Sequence, residues 1–170
     1  MAVMLAGVSV AAQSTSAPDM KAAYLLNFAR FVEWPADTPP PGSPLIMCIV
    51  NDGAVATALE QTTKGRVVEG HPLSVVRLGA KGTLPMCHVL YLAALDQKAL
   101  LDMIAALDGR LVLTVSDVPR FARNGGMVEL FVEDGKLRMA ANVDALQRAK
   151  VRLSSRVLTI ARIVRDFPSQ

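Results

Sequence analysis

Three short runs without a charged residue constrain this chain most: Leu45 to Val50 (LIMCIV), Val89 to Ala93 (VLYLA) and Leu111 to Val115 (LVLTV). They are far too short to span a bilayer and have the length and β-branched content of strands. A strand that is apolar at nearly every position must be covered on both faces, as in a parallel sheet between helices. The intervening segments fit that reading. Asn51-Asp52-Gly53 forms a turn, and a short helix follows from Ala54 to Gln61. Leu73 to Leu78 reads as a further strand, with a Gly- and Lys-rich loop behind it. Gln97 to Leu107 reads as a helix with Leu100, Leu101, Ile104 and Leu107 on one side, stopped by Asp108-Gly109. Strand, helix, strand thus occurs twice, which favours parallel pairing through right-handed crossovers.

The two ends follow other patterns. Pro18 to Glu33 carries Leu25, Phe28, Ala29 and Val32 at helical spacing, and Trp34-Pro35 stops the helix. Asp37 to Pro44 reads as a rigid, exposed linker. Met127 to Glu133 and Lys136 to Ala141 flank Asp134-Gly135, a strong hairpin signal. Val143 to Val164 reads as helical, with Val157, Leu158, Ala161 and Val164 on one face and Arg148, Arg152, Arg156 and Arg162 largely elsewhere. With 170 residues, half of them apolar, the chain suits one domain with a real core. The expected fold is α/β: a mixed, partly parallel sheet covered by helices in a single domain.

Residues 1–18 hold no charged side chain, and Val10-Ala11-Ala12 precedes the polar run Gln13-Ser14-Thr15-Ser16. That pattern fits a secretion signal over residues 1–12 and a mature domain over 13–170. Export places the chain in an oxidising compartment, where the two cysteines, Cys48 and Cys87, form a disulfide or remain as buried thiols.

Chemistry-bearing constellations are sparse. Asn51-Asp52-Gly53 follows a strand and precedes a helix, where α/β folds bind phosphate, but the Gly-rich fingerprint and a Walker lysine are absent. Ser116 and Asp117 are adjacent, so in extended chain they point to opposite faces. Ser154-Ser155 lacks a nucleophile elbow. His71 falls in a loop, and His88 adjoins Cys87 at a strand start. Glu129 and Glu133 share a strand parity that marks a solvated face. Two distant cysteines and two histidines do not make a metal site. No residue is assigned as catalytic, cofactor-binding or metal-ligating, and the chain is read as a non-enzyme. The pI near 9 is only mildly basic, and an exported protein meets little nucleic acid.

Taken in order, several blocks resemble the YfiR-like family. They are Lys21 to Pro35 (KAAYLLNFARFVEWP), the strand around Cys48 with its Asn51-Asp52 turn, and Cys87 with the strand after it. Leu111 to Asp117 (LVLTVSD), Phe121, Gly125-Gly126-Met127-Val128, Asn142 and Leu153 to Ala161 follow. The resemblance implies a periplasmic negative regulator that binds the periplasmic part of an inner-membrane diguanylate cyclase and lowers cyclic di-GMP signalling, with effects on biofilm. It further implies release by an outer-membrane lipoprotein, a possible homodimer, and a Cys48–Cys87 disulfide. A small-ligand sensor reporting to a membrane receptor is the alternative. Trp34 is the candidate partner contact, because aromatic residues anchor interfaces; the other reading is a core Trp closing the first helix.

The export reading predicts a mature chain beginning near Gln13. No Lys or Arg precedes the apolar run, so supplying a basic start upstream is expected to restore secretion. N-terminal sequencing of periplasmic protein checks this, and an intact Met1 there would refute it.

Overall fold

Four of the five described helices begin at a side chain that caps their first turn. The computed structural model describes residues 15–166; the expected signal over 1–12 lies outside them. Helix α1 (Ala17–Phe31) opens on a capping box in which Ser16 and Asp19 satisfy each other's backbone N–H groups. Its buried face is Ala22, Leu25, Leu26, Phe28 and Ala29. Strand β1 (Val32–Glu33) follows, then β2 (Leu45–Val50). Asp52 caps α2 (Gly53–Thr63) by accepting from the Val55 N–H at 3.0 Å. Next come β3 (Val67–Val68), β4 (His71–Leu78) and β5 (Val89–Leu92). Helix α3 (Gln97–Ala106) is capped in the same way by Asp96. Strands β6 (Leu113–Ser116), β7 (Val128–Glu133) and β8 (Lys136–Asn142) complete the middle of the chain. Its last part is α4 (Val143–Arg148), β9 (Arg152–Leu153), α5 (Ser155–Ile160) and β10 (Arg162–Val164).

Eight strands form one sheet in the order β10-β8-β7-β6-β5-β2-β4-β3, and β1 and β9 form a small separate ribbon. Strands β4, β2, β5, β6 and β7 are mutually parallel. The β7–β8 hairpin is antiparallel, and Asp134 and Gly135 both take positive φ in its turn. The fold is therefore a mixed α/β domain. Each central strand feeds two cores. From β2, Met47 and Ile49 face one core and Cys48 and Val50 the other; from β5, Val89 and Tyr91 oppose Leu90 and Leu92. The first core lies beneath α1, α2, α4 and α5, the second beneath α3 and Phe121. This two-sided burial is why LIMCIV and VLYL are apolar throughout.

The structure departs from the sequence expectations mainly at the ends of elements. The continuous helix expected over Val143 to Val164 does not exist. Lys150 adopts φ +56, which ends α4, and the chain after it breaks into a two-residue strand, the short helix α5 and a three-residue strand. Leu153 then pairs with Val32, and Arg162 to Val164 run parallel to Ala140 to Asn142. Arg148, Arg152, Arg156 and Arg162 consequently sit on separate elements rather than on one basic helix. The same pairing ends α1 at Phe31, two residues before the expected stop, because Val32 and Glu33 are drawn into β1. His71 lies in β4 opposite Val68, not in a loop. Within the expected exposed linker, Pro39 is buried.

Cys48 and Cys87 are joined by a disulfide with Cα atoms 5.9 Å apart, and both are buried. The bridge links β2 to Cys87, two residues before β5, across 39 positions, so it stitches the sheet's centre to the segment that enters β5. Cys48→Ser is expected to lower stability by roughly 2–5 kcal/mol, read from urea unfolding of the oxidised protein. Recovery of two reactive thiols on unfolding without reductant would contradict the bridge.

Candidate functional site

The groups with chemical potential gather at the two ends of the parallel strands. At the carboxyl ends, Lys21 of α1 reaches Asp117, just past β6, with a 2.6 Å ion pair. Beneath it the Tyr91 hydroxyl is buried without a hydrogen-bond partner among the described residues. Burial foremost, then the Asp117 and Asp52 carboxylates, push its pKa well above the ordinary tyrosine value. Tyr91 is thus held in the core as a neutral phenol. Ser116 is fully buried; it donates to the Leu92 carbonyl at 2.6 Å and accepts the Val118 N–H at 3.0 Å. Both functions of its hydroxyl are used in shaping the strand end. Ser116 and Asp117 therefore serve separate structural bonds.

At the amino ends lie His71, His88, Trp34 and the disulfide. The imidazole Nδ1 of His88 accepts the Ile46 N–H at 2.9 Å, which fixes the neutral ring with its proton on Nε2. Burial, then the charge of His71, lowers its pKa from the ordinary value. The Nδ1 of His71 lies 2.8 Å from the Ser43 carbonyl, so this ring donates there. Trp34 is partly exposed, packs on the first core, and meets the His88 ring edge-on at 5.7 Å between centroids. Its Nε1 is buried without a partner among the described residues and borders a small hollow with Pro35, Glu69 and His71. The structure thus places Trp34 beside Cys87's neighbour His88, a grouping that sequence distance concealed.

Other residues singled out in the sequence acquire plain structural roles. Glu129 does not mark a solvated face: its two carboxylate oxygens accept the backbone N–H groups of Arg120 and Ala122 at 3.0 and 3.1 Å. Glu133 remains exposed and pairs with Arg162. A Cβ on Gly126 would lie 2.3 Å from the Phe121 ring, so only glycine admits that buried side chain. Asn142 is fully buried and caps α4 through its carbonyl oxygen, while its amide donates to Ala122 and Asp166. Burial alone would raise the Asp166 carboxyl, but the Asn142 amide and the Arg148 guanidinium outweigh it and hold the pKa below the usual value. Tyr24 donates to the Leu137 carbonyl at 2.9 Å, tying α1 to β8.

Two open hollows border Leu84, one of them beside the disulfide. One of about 510 Å³ is bordered by Leu84, Met86, Cys87, His88 and Arg110; a second of about 440 Å³ lies between Leu84 and Met103. Among the described residues no three His, Cys, Asp or Glu side chains are grouped to hold a metal ion.

Comparison with known proteins gives two findings. A family model described as YfiR/HmsC-like matches residues 18–162. A crystal structure of a conserved domain protein from Vibrio cholerae O1 biovar eltor str. N16961 is similar in fold, with a TM-score of 0.55 at 13% identity. The match covers 89% of this chain and 60% of that one, so this chain spans less than two thirds of that chain's length.

The neutral His88 makes stability depend on pH. Its folded pKa lies below the unfolded value, so the unfolded chain takes up a proton first as pH falls. Its contribution is therefore intact above about pH 6.5 and lost progressively below it. His88→Asn, whose Oδ1 can accept the same N–H, is expected to flatten the fall in urea midpoint between about pH 7.5 and about pH 5. An unchanged slope in the variant would assign the pH dependence to other groups.

Proposed function

The chain belongs to the YfiR/HmsC-like family, and on that premise we propose that it is a periplasmic regulator and not an enzyme. In this reading it binds the periplasmic part of an inner-membrane diguanylate cyclase, favours that enzyme's inactive form and so lowers cyclic di-GMP. The family match over residues 18–162 carries the reading. The chemistry supports it: Ser116, Asp117, His88 and Asn142 are engaged in bonds that hold the fold, and among the described residues no nucleophile stands beside a free base. The disulfide suits an oxidising compartment. An outer-membrane lipoprotein that sequesters the chain would relieve the cyclase, and a homodimer would present two copies of the binding face.

A ligand sensor is the second reading, favoured by the hollow of about 510 Å³ beside the disulfide, which lies in the size range of small-molecule sites. A thermal-shift screen tests it, since a ligand that binds only the native state raises the melting temperature.

Deleting the gene is expected to raise cyclic di-GMP where the cognate cyclase is expressed. The exported protein should restore the low level and a leaderless version should not. Unchanged cyclic di-GMP in the deletion strain would remove the regulator reading in favour of the sensor. The candidate contact Trp34 enters the same assay. If the ring serves mainly the core, Trp34→Ala lowers stability by about 3 kcal/mol and repression fails through unfolding. If it anchors the partner, repression is lost at an unchanged melting temperature.

A further inference from the structure

The end of the sheet differs from its middle. On one face of β7, β8 and β10, register places Glu129 and Phe131 beside Ala140 and Arg138, with Arg162 next to Ala140. A hollow of about 190 Å³ opens there, lined by Arg120, Arg123 and Arg162 around Phe131 and Glu129. Its negative charges are already engaged. Glu129 is held by two backbone N–H groups, and Glu133 pairs with Arg162 at 2.6 Å. The Arg162 guanidinium also lies 4.7 Å from the Phe131 ring centroid, which fixes its plane. Arg120 and Arg123 are exposed and have no ion-pair partner among the described residues. Arg120 adopts φ +67, a conformation that glycine or asparagine takes more easily. The Glu129 carboxylate holds it there and so projects an arginine from a tight turn.

We propose that this hollow is where an acidic segment of the partner protein docks, with its carboxylates on Arg120 and Arg123 and an apolar side chain on Phe131. The proposal rests on the regulator reading and adds to it the face and the chemistry of the contact. Guanidinium groups suit carboxylates because their forked donors engage both oxygens. The position favours a polypeptide over a free anion. The hollow borders β10, the last strand of the sheet, whose outer edge has no strand partner among the described residues. An extended acidic chain can hydrogen-bond to that edge while its side chains reach the arginines.

The test uses the full mature protein and a fluorescein-labelled oligoglutamate peptide, read by anisotropy. Arg120→Gln/Arg123→Gln removes two charges at the hollow. Lys64→Gln/Arg66→Gln removes two exposed charges near β3, at the opposite end of the sheet. The first variant is expected to bind at least about tenfold more weakly and the second within about twofold of wild type, both at unchanged melting temperature. Arg123→Gln alone serves if the double variant unfolds. Equal weakening by both double variants would reduce the effect to net charge and overturn the proposal. So would saturable binding of inorganic phosphate, but not of the peptide, that the first variant abolishes. In cells, the exported first variant should fail to lower cyclic di-GMP while the control variant succeeds. A first variant that represses as well as wild type defeats the docking site and leaves the regulator reading intact. A wild-type chain that binds the peptide through the hollow yet never lowers cyclic di-GMP defeats the regulator reading alone.

Discussion

Strands β2 and β5 are paired along four residues in the middle of the sheet and are buried on both faces. Apolar side chains on both sides of a ribbon cannot be covered by one layer, so the chain must supply helices above and below. Everything else follows from where those helices come from. Helices α1 and α2 close one side, and α3 with the Phe121 turn closes the other. The disulfide sits inside the second layer and joins β2 to the segment entering β5, so the same two strands are held by pairing, burial and a covalent link.

That construction explains the structural bonds made by polar residues that invite a catalytic reading. At the strand ends backbone groups lose their ladder partners, and buried ones must find others. Ser116 serves the Leu92 carbonyl and the Val118 N–H, His88 serves the Ile46 N–H, and Glu129 serves the turn at Arg120 and Ala122. Lys21 and Asp117 close α1 over the carboxyl end of β6. The motifs that carry the family resemblance are largely these clasps. They report the fold strongly, whereas the partner is carried by family membership and by surfaces outside the clasps.

Function of the proposed kind asks for a rigid body with an exposed, chemically distinct face. The proposed face belongs to the hairpin β7–β8 and strand β10, which lie at one end of the sheet and carry partly exposed positions. One side of β7 and β8 feeds the first core through Val128, Leu130 and Met139. The other side carries Phe131, Arg138 and Arg162. An arginine-bearing face on a sheet stitched to the core is pre-ordered, so little conformational entropy is lost when a partner binds.

The sequence alone determined the buried strands, the hairpin at Asp134-Gly135 and the α/β class, because two-sided burial and turn chemistry are local signals written in consecutive residues. The starts of α2 and α3 were legible to within a residue, read at Ala54 and Gln97 and found at Gly53 and Gln97; the Asp52 and Asp96 caps emerged only in the structure. What followed Val143 was not. Its apolar spacing fits a helix as well as short alternating pieces, and the choice was made by vacant strand edges. Val32 offered one to Leu153 and β8 offered another to Arg162–Val164, and their backbone hydrogen bonds outweighed local helix propensity. Tertiary structure likewise decided which residues meet: Trp34 with His88, Lys21 with Asp117, and Arg120 and Arg123 with Arg162 around Phe131. Such contacts join residues far apart in sequence or on separate elements, and only the order of strands in the sheet brings them together.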